Sequence, residues 1–295
     1  MRDLASCFSE HAVQISDTSC SNCNYTPSTQ NAVVCLYETV LSTQKQILTT
    51  VTWTKNSSFQ GLTINFNDGP ISNAFKLNTN NSRFFRKMKG SKALELSSPH
   101  ASKIEVSWDL STARYRPGPE PVDGFYLFVA FDSEIGLVLG DAAPPRMVKH
   151  GARTARFSLI SRREHFSGRA LYSTRARFCD AGSDHDIVIR CGEEEKYPFL
   201  SVCIDEKTVI RVKRLQWNFR GNETIFLDGR AVDMMWDVHD WLYGRESGNA
   251  IFMFRTRSGL DSRLWLEDKL AQKGDDDEEK DKVEFSLMIC ACKNV

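Results

Sequence analysis

The chain has 295 residues, which suits either one large domain or two of moderate size. Its 41% hydrophobic, 26% charged and 11% aromatic residues predict a folded, water-soluble protein with ample apolar area to bury. The 38 basic and 38 acidic side chains cancel, which removes the bulk electrostatic argument for binding nucleic acid or an anionic membrane.

Two further features of the sequence concern the cellular compartment of the protein. No apolar run approaches the ~20 residues that cross a bilayer, and Asp3 and Glu10 lie where a signal peptide is apolar. The nine cysteines lack the spacing of a disulfide framework and favour reduced thiols. We therefore expect no membrane span and a location in the cytoplasm or the nucleus.

Strand-like segments recur along most of the chain. Residues 1–30 combine a short amphipathic pattern with a polar, turn-rich stretch, which predicts a flexible N-terminal extension. Beyond it, segments rich in Val, Ile, Phe, Thr and Trp alternate with Asn, Asp, Gly and Pro, which predicts an all-β protein of sandwich or barrel type. Only 162–172 and 237–245 have a helical pattern, and both are short. The strand-like segments are "AVVCLYETV", "QILTTVTWTK", "GLTINFND", "KIEVSWDL", "GFYLFVAF", "IGLVLGD", "HDIVIRC", "FLSVCID", "KTVIRVKRLQW", "TIFLDG", "AIFMFRT" and "VEFSLMICA".

Two of these strands are apolar at consecutive positions rather than at alternate ones. They are "FYLFVAF" and "AIFMFR". Because successive side chains of a strand point to opposite faces, this pattern predicts that both faces of each strand are covered.

The two halves of the chain carry similar features in the same order, which indicates an internal duplication. The interval from the Trp-Asp pair to the next apolar strand is nearly constant, at 17 residues from Trp108 to Phe125 and 16 from Trp236 to Phe252. The stretch before that pair is longer in the first half, so the match requires an insertion there. The paired features are Trp53 with Trp217, Asp68-Gly69 with Asp228-Gly229, and "VSWDLS" with "MMWDVH".

The duplication predicts two related antiparallel β lobes. We place the first at 31–143 and the second at 151–295, joined by a connector at 144–150 that begins with two prolines. The second lobe carries the acidic insert "KGDDDEEKDK" at 273–282.

Long motifs of this sequence resemble one known family. They are "MRDLASCFSEHAV", "WDLSTARYRPGPEPVDGFYLFV", "HDIVIRC" and "VKRLQWNFRGNETIFLDGRAVDMMWDVHDWLYG". Together they resemble the plant family of proteins that carry domain of unknown function 868, over nearly the whole chain. The resemblance implies a plant source and no particular activity, cofactor or catalytic residue. The acidic insert is not part of the family motif.

The stretch "WDVHDWLYG" at 236–244 surrounds His239 with acids and tryptophans. With the second His-Asp pair at His185-Asp186, Asp237 and His239 form a candidate metal or acid-base site. The alternative is architectural, with the tryptophans packed inward and the aspartates capping turns. The parallel "WDLS" has no histidine, which favours architecture.

A second candidate metal site lies in the N-terminal extension. Cys7, His11, Cys20 and Cys23 are four ligand types that a tetrahedral zinc site uses. Their first half, C-x3-H, is an unusual spacing, so free surface thiols are the simpler interpretation, and we expect no cofactor.

The segment 146–177 holds nine basic residues against one acid, a net charge of +8. Arginine predominates there and suits an anionic or nucleic-acid partner. Base-stacking aromatics are not interleaved, and 267–284 carries a net charge of −5, so we expect the two segments to pair or to shield strand edges.

Other motifs favour structural roles. Glu120 and Asp123 are a candidate acid-base pair, but the flanking prolines favour a rigid turn. "WNFRGNETIFLDG" predicts a hairpin with its turn at Gly221-Asn222. We expect Arg214 and Arg220 to stack on aromatic rings and to pair with Asp233 or Asp237.

These features favour a non-enzymatic protein that binds a partner protein or an apolar small molecule. The alternatives are a metal-dependent or acid-base enzyme that uses the His-Asp pairs, and an anion-binding protein that uses 146–177. Nucleic acid is the less favoured partner. The residues expected to line a ligand site are Trp108, Tyr126, Trp236, His239, Trp241 and Arg220.

Overall fold

A computed structural model describes most of the chain. The described residues are 13–14, 18–19, 27–67, 72–80, 88–95, 103–142, 153–168, 171–179, 181–194, 196–244, 248–257 and 284–293. The predicted connector 144–150, the insert 273–282 and the four candidate zinc ligands lie outside them.

Strands make up almost all the regular structure, which confirms the all-β prediction. One helix of five residues, α1, lies between β19 and β20. The elements are β1 Val13–Gln14, β2 Thr18–Ser19, β3 Thr29–Val40, β4 Gln46–Lys55, β5 Phe59–Asn67, β6 Ser72–Asn80, β7 Lys89–Glu95, β8 Lys103–Asp109, β9 Arg114–Tyr115, β10 Pro121–Asp123, β11 Tyr126–Phe131, β12 Glu134–Gly140, β13 Arg156–Ser167, β14 Leu171–Arg177, β15 Asp184–Glu194, β16 Tyr197–Ile204, β17 Lys207–Val212, β18 Arg220–Leu227, β19 Arg230–Asp237, α1 His239–Tyr243, β20 Asn249–Thr256 and β21 Ser286–Cys292.

The chain forms two compact units. The middle unit comprises 30–164, and the C-terminal unit comprises 165–295 together with the chain before residue 30. In neither unit do the described strands close into a barrel.

The middle unit contains two sheets that share one core. One sheet has the order β13-β3-β4-β5-β6, the other has the order β12-β11-β8-β7, and β9 pairs with β10. Val51 and Ile64 of the first sheet and Val106 and Leu127 of the second belong to the same buried apolar cluster. In this cluster Phe66 packs edge-on against Phe131, with ring centroids 5.9 Å apart.

The C-terminal unit contains two groups of four strands, each paired in sequence order. A meander of β14, β15, β16 and β17 carries β1 and β2 on its last strand, and β18, β19, β20 and β21 pair in sequence order. Rings from the two groups of strands meet, since Tyr172 of β14 lies 5.9 Å from Phe252 of β20. Phe178 lies 6.1 Å from Phe254 in the same way.

The strand predictions hold where apolar residues alternate. β4 has the predicted bounds, and its buried residues alternate along its length. β11 is buried at all six positions, which confirms that both of its faces are covered. The same prediction is wrong for β20, whose burial alternates and whose Ile251 is 42% exposed.

Three local predictions are wrong. The helical pattern at 162–172 belongs to β13 and β14, because cross-strand pairing outweighs a weak helical periodicity. Gly221 and Asn222 lie inside β18, and the tight turn falls instead at Asp228-Gly229, where both residues have positive φ. The sequence favours reduced thiols, yet Cys203 is disulfide-bonded, because the geometry of the fold and not cysteine spacing decides which thiols can form a bond.

The other described cysteines are not disulfide-bonded. No helix among the described residues has the length and apolar character needed to cross a membrane.

Candidate binding site

The Trp-Asp pair of the middle unit forms a tightly fitted corner at the end of β8. Trp108 lies opposite Gly90 of β7, where an added Cβ would come within 3.0 Å of the indole Cζ2. Asp109 accepts a hydrogen bond from the Ser111 amide at 3.0 Å and pairs with Lys89 at 2.8 Å. The Leu110 amide donates to the Met88 carbonyl at 2.7 Å. We call this arrangement the Trp-Asp corner.

The C-terminal unit builds the same corner at the end of β19. Trp236 lies opposite Gly221 of β18, and Asp237 pairs with Arg220 at 2.8 Å. Asp237 also accepts from the His239 amide at 3.1 Å. The backbone closes in the same way, with the Val238 amide donating to the Phe219 carbonyl at 2.9 Å.

The pKa of the aspartate is lowered in both corners. Partial burial opposes ionisation of Asp109, but hydrogen bonds from Lys89 and Ser111 hold its pKa below the ordinary value. The carboxyl of Asp237 has its pKa lowered in the same way by Arg220 and by the His239 amide. Each carboxylate therefore stays ionised and is hydrogen-bonded within its own corner. These contacts give the Trp-Asp pair a structural role.

A pocket opens beside the corner of the middle unit. It has a volume of about 330 Å³ and lies between the β4–β5 turn and the chain that follows β8. Its apolar lining comes from Phe59, Met88, Leu110 and Tyr115. Serine hydroxyls, two side-chain amides and the Lys55 ammonium group supply the polar part. Its volume is at the lower end of the range of small-molecule sites, and polar residues slightly outnumber apolar ones in its lining.

The walls of the pocket are held by hydrogen bonds. Asn56 accepts from the amides of Ser58 at 2.8 Å and Phe59 at 2.7 Å, which fixes the β4–β5 turn. Lys55 donates to the Pro117 carbonyl at 3.2 Å, and Gln60 donates to the Pro119 carbonyl at 2.9 Å. Because Asp109 fixes Ser111 on the other side, the pocket is preformed.

In the C-terminal unit the corresponding corner carries aromatic rings. The Phe219 carbonyl accepts from the amide after the Trp-Asp pair, as the Met88 carbonyl does in the middle unit. The His239 amide donates to Asp237 as the Ser111 amide donates to Asp109. The rings of Phe219 and His239 lie 5.2 Å apart, and His239 lies 5.2 Å from Tyr243. The Tyr243 hydroxyl donates to the Gln216 carbonyl at 2.7 Å, which ties α1 to the chain before β18.

The histidines of the two His-Asp pairs contact carboxylates. His185 has Nδ1 2.6 Å from Asp205 and Nε2 3.0 Å from Asp228. Burial opposes the charged form, but the two carboxylates outweigh it and raise the pKa of His185. His239 has Nδ1 2.9 Å from Asp240. Among the described residues, no group of three or more His, Cys, Asp and Glu side chains could hold a metal ion.

The family assignment follows from a match over most of the chain. A family model described as "Plant protein of unknown function (DUF868)" matches residues 28–293. The chain belongs to this family. No curated protein and no solved structure matches it.

In this DUF868 protein the residues predicted to line a ligand site belong to both units. Trp108 and Tyr126 lie in the middle unit, on opposite faces of its second sheet, and join different buried clusters. Trp236 is buried, and its indole donates to the Asn218 carbonyl at 2.9 Å. In the same unit the Lys293 ammonium lies 4.9 Å from the centroid of the Trp241 ring. Arg220 and His239 belong to the corner of that unit.

One charged cluster of the DUF868 chain was missed from sequence. Arg162 contacts Glu164 at 2.5 Å and Glu120 at 2.8 Å, and Gln30 donates to Glu164 at 2.7 Å. Glu164 is fully buried. An arginine and a glutamate two residues apart in a strand share a face, and that spacing was the available signal.

The same cluster contains a thiol. Arg162 approaches the sulfur of Cys35 at 3.6 Å, yet burial raises the pKa of that thiol to about 12. Of the candidate acid-base pair, Glu120 contacts Arg162 and Asp123 pairs with Arg114. These contacts give both carboxylates structural partners.

The arginine-rich segment is partly neutralised by its neighbours. Arg175 and Arg177 of β14 lie 3.6 Å and 3.0 Å from Asp186 and Asp184 of β15. Arg163 is exposed, whereas the side chain of Arg162 is 15% exposed and lies in the charged cluster. Arg146, Lys149 and Arg169 lie outside the described residues.

Proposed function

We propose that this protein is a non-enzymatic binding module, and that the pocket beside the Trp-Asp corner of the middle unit takes a small ligand with an apolar body. The observation that carries the proposal is the preformed 330 Å³ pocket, with Phe59, Met88 and Leu110 in its lining and polar groups beside them.

The state of the reactive side chains supports a role without catalysis. Burial raises the pKa of the Cys35 and Cys191 thiols to about 12, so neither is a ready nucleophile. Both ring nitrogens of His185 face carboxylates, and Asp237 is paired with Arg220. The contacts of these paired groups contribute to the stability of the fold.

We also infer that both units are β-sandwiches derived from one duplicated ancestor. The shared strand order and the matching Trp-Asp corners support this origin. The two units are matched through Trp108 of the middle unit and Trp236 of the C-terminal unit. This match does not include Trp53 with Trp217, because Trp53 is buried in a strand and Trp217 is 78% exposed.

The proposal is tested by saturation-transfer NMR with 4-phenylbutan-1-ol, a small molecule with an apolar body. Ala113 lines the pocket, so Ala113→Phe fills it and should abolish the transfer that the unchanged protein shows. Ala93→Phe, at an exposed position of β7, is the matched control and should leave the transfer intact. Equal transfer to all three proteins would refute the pocket as the site.

A second candidate function is partner-protein binding through the C-terminal unit. Trp217 is 78% exposed and Tyr243 is 54% exposed, beside Phe219 and Arg220. Exposed Trp, Tyr and Arg side chains are typical of interface hot spots. Affinity capture from plant extract should retain a partner that Trp217→Ala loses and that Tyr197→Ala, a substitution at another exposed aromatic residue, retains. A partner set unchanged by Trp217→Ala would argue against this surface.

A further inference from the structure

The lining of the pocket carries charge of one sign. Of the eleven described residues that line it, Lys55 is the one with an ionised side chain, and none is a carboxylate. The carboxylate of the adjoining corner, Asp109, already binds Lys89 and the Ser111 amide. An anion that entered the pocket would therefore find a cation and no acid in its lining.

Lys55 is positioned to bind a ligand. Its ammonium group has three donors, and one of them is directed to the Pro117 carbonyl at 3.2 Å. That bond restrains the long side chain, which lowers the entropy that ligand binding would otherwise cost. Two donors remain for a carboxylate or a similar group, and Ser57 and Ser58 belong to the same lining.

The apolar residues of the lining determine which hydrocarbon part of a ligand fits the pocket. Phe59, Met88 and Leu110 present aromatic, thioether and aliphatic surface, which favours a flexible or aromatic hydrocarbon body. The volume of about 330 Å³ lies at the lower end of the range of ligand pockets, which favours a small ligand.

We propose that the pocket selects small amphiphilic anions, with the acidic group bound by Lys55 and the hydrocarbon body against Phe59, Met88 and Leu110. This inference rests on the proposed function and names the ligand class of the same site.

Two ligands that differ in the head group test it. Calorimetry compares 4-phenylbutyrate, a carboxylate of the expected size, with the neutral 4-phenylbutan-1-ol. The unchanged protein should bind the carboxylate about tenfold more tightly, as a charge-assisted hydrogen bond predicts. Lys55→Met should remove this preference by weakening carboxylate binding while leaving alcohol binding unchanged.

Two further variants complete the test. Lys55→Arg keeps the charge and should keep the preference. Lys92→Met removes another exposed lysine of the middle unit that does not line the pocket, and it should behave like the unchanged protein. Thermal unfolding of each variant shows that it is folded.

The outcomes are distinguishable. Equal binding of both ligands to the unchanged protein would overturn the selectivity and leave the binding module standing. Failure of both ligands to bind at millimolar concentration would overturn the proposed function as well. A carboxylate preference that survives Lys55→Met would remove Lys55 from its assigned role.

Discussion

Gly221 lies directly opposite Trp236 on the neighbouring strand, and a Cβ at Gly221 would stand 2.3 Å from the indole Cζ2. Gly90 and Trp108 stand in the same relation in the middle unit, with a less severe approach of 3.0 Å. The glycine in each pair makes room for the ring, and the aspartate after each tryptophan then fixes the next turn.

These contacts predict that a methyl group added at either glycine destabilises the protein, and more so at Gly221 than at Gly90. Gly221→Ala should destabilise the protein by about 1–3 kcal/mol, because the indole is enclosed and has to shift. Gly90→Ala should cost less, since its Cβ meets the ring at a longer distance. Urea unfolding followed by tryptophan fluorescence measures both. Asn222→Ala, at the exposed next position, is the control, and an equal effect there would contradict the account.

The two corners should differ in their effect on ligand binding. Asp109→Ala removes the cap on Ser111, which lines the pocket, so it should weaken binding of 4-phenylbutyrate several-fold. Asp237→Ala removes the equivalent cap in the C-terminal unit and should leave this affinity unchanged. Calorimetry on both variants checks the prediction. Equal losses would mean that the effect is one of general stability.

His185 predicts a pH dependence of stability with a definite sign. Its pKa is raised in the folded protein, so its contribution is complete below the ordinary value of about 6.5 and is lost as pH rises through the folded pKa. Asp205 and Asp228 have lowered pKa values, so their contribution is lost as pH falls through the acidic range.

The measurement is the thermal midpoint of the unchanged protein and of His185→Gln across this range. The difference between the two should be largest at mildly acidic pH, where the imidazolium and both carboxylates are charged, and should shrink towards alkaline pH. A difference that grows with pH would show that His185 is neutral in the folded protein. His239→Gln, at a more exposed position, should show a smaller difference throughout.

Several of these contacts follow from sequence patterns and others do not. The bounds of β4 and the double burial of β11 follow from the spacing of their apolar residues, and the repeated Trp-Asp pair marks both corners. The sequence around Gly221 predicts a turn. Its position inside β18 is explained by the ring of Trp236 on the next strand, which leaves no room for a side chain. The pocket depends on the meeting of three segments that are distant in sequence, at 55–60, at Met88 and at 110–115, which no local pattern indicates.

The buried charges predict unequal roles for two adjacent arginines. Arg162→Met leaves Glu164 buried without its cation and should cost about 3–5 kcal/mol, whereas Arg163→Met, at an exposed position, should cost under about 0.5 kcal/mol. Chemical unfolding of the two variants gives both values. Similar costs would mean that Glu164 is protonated or hydrated when Arg162 is lost.

The central claim is that the pocket beside the Trp-Asp corner of the middle unit is the ligand site. A map of amide chemical shifts during titration with 4-phenylbutyrate tests it most directly. The account predicts saturable shifts concentrated at residues 55–60 and 110–115, on the two walls of the pocket. Shifts that are absent at millimolar ligand, or that concentrate in the C-terminal unit, would contradict it.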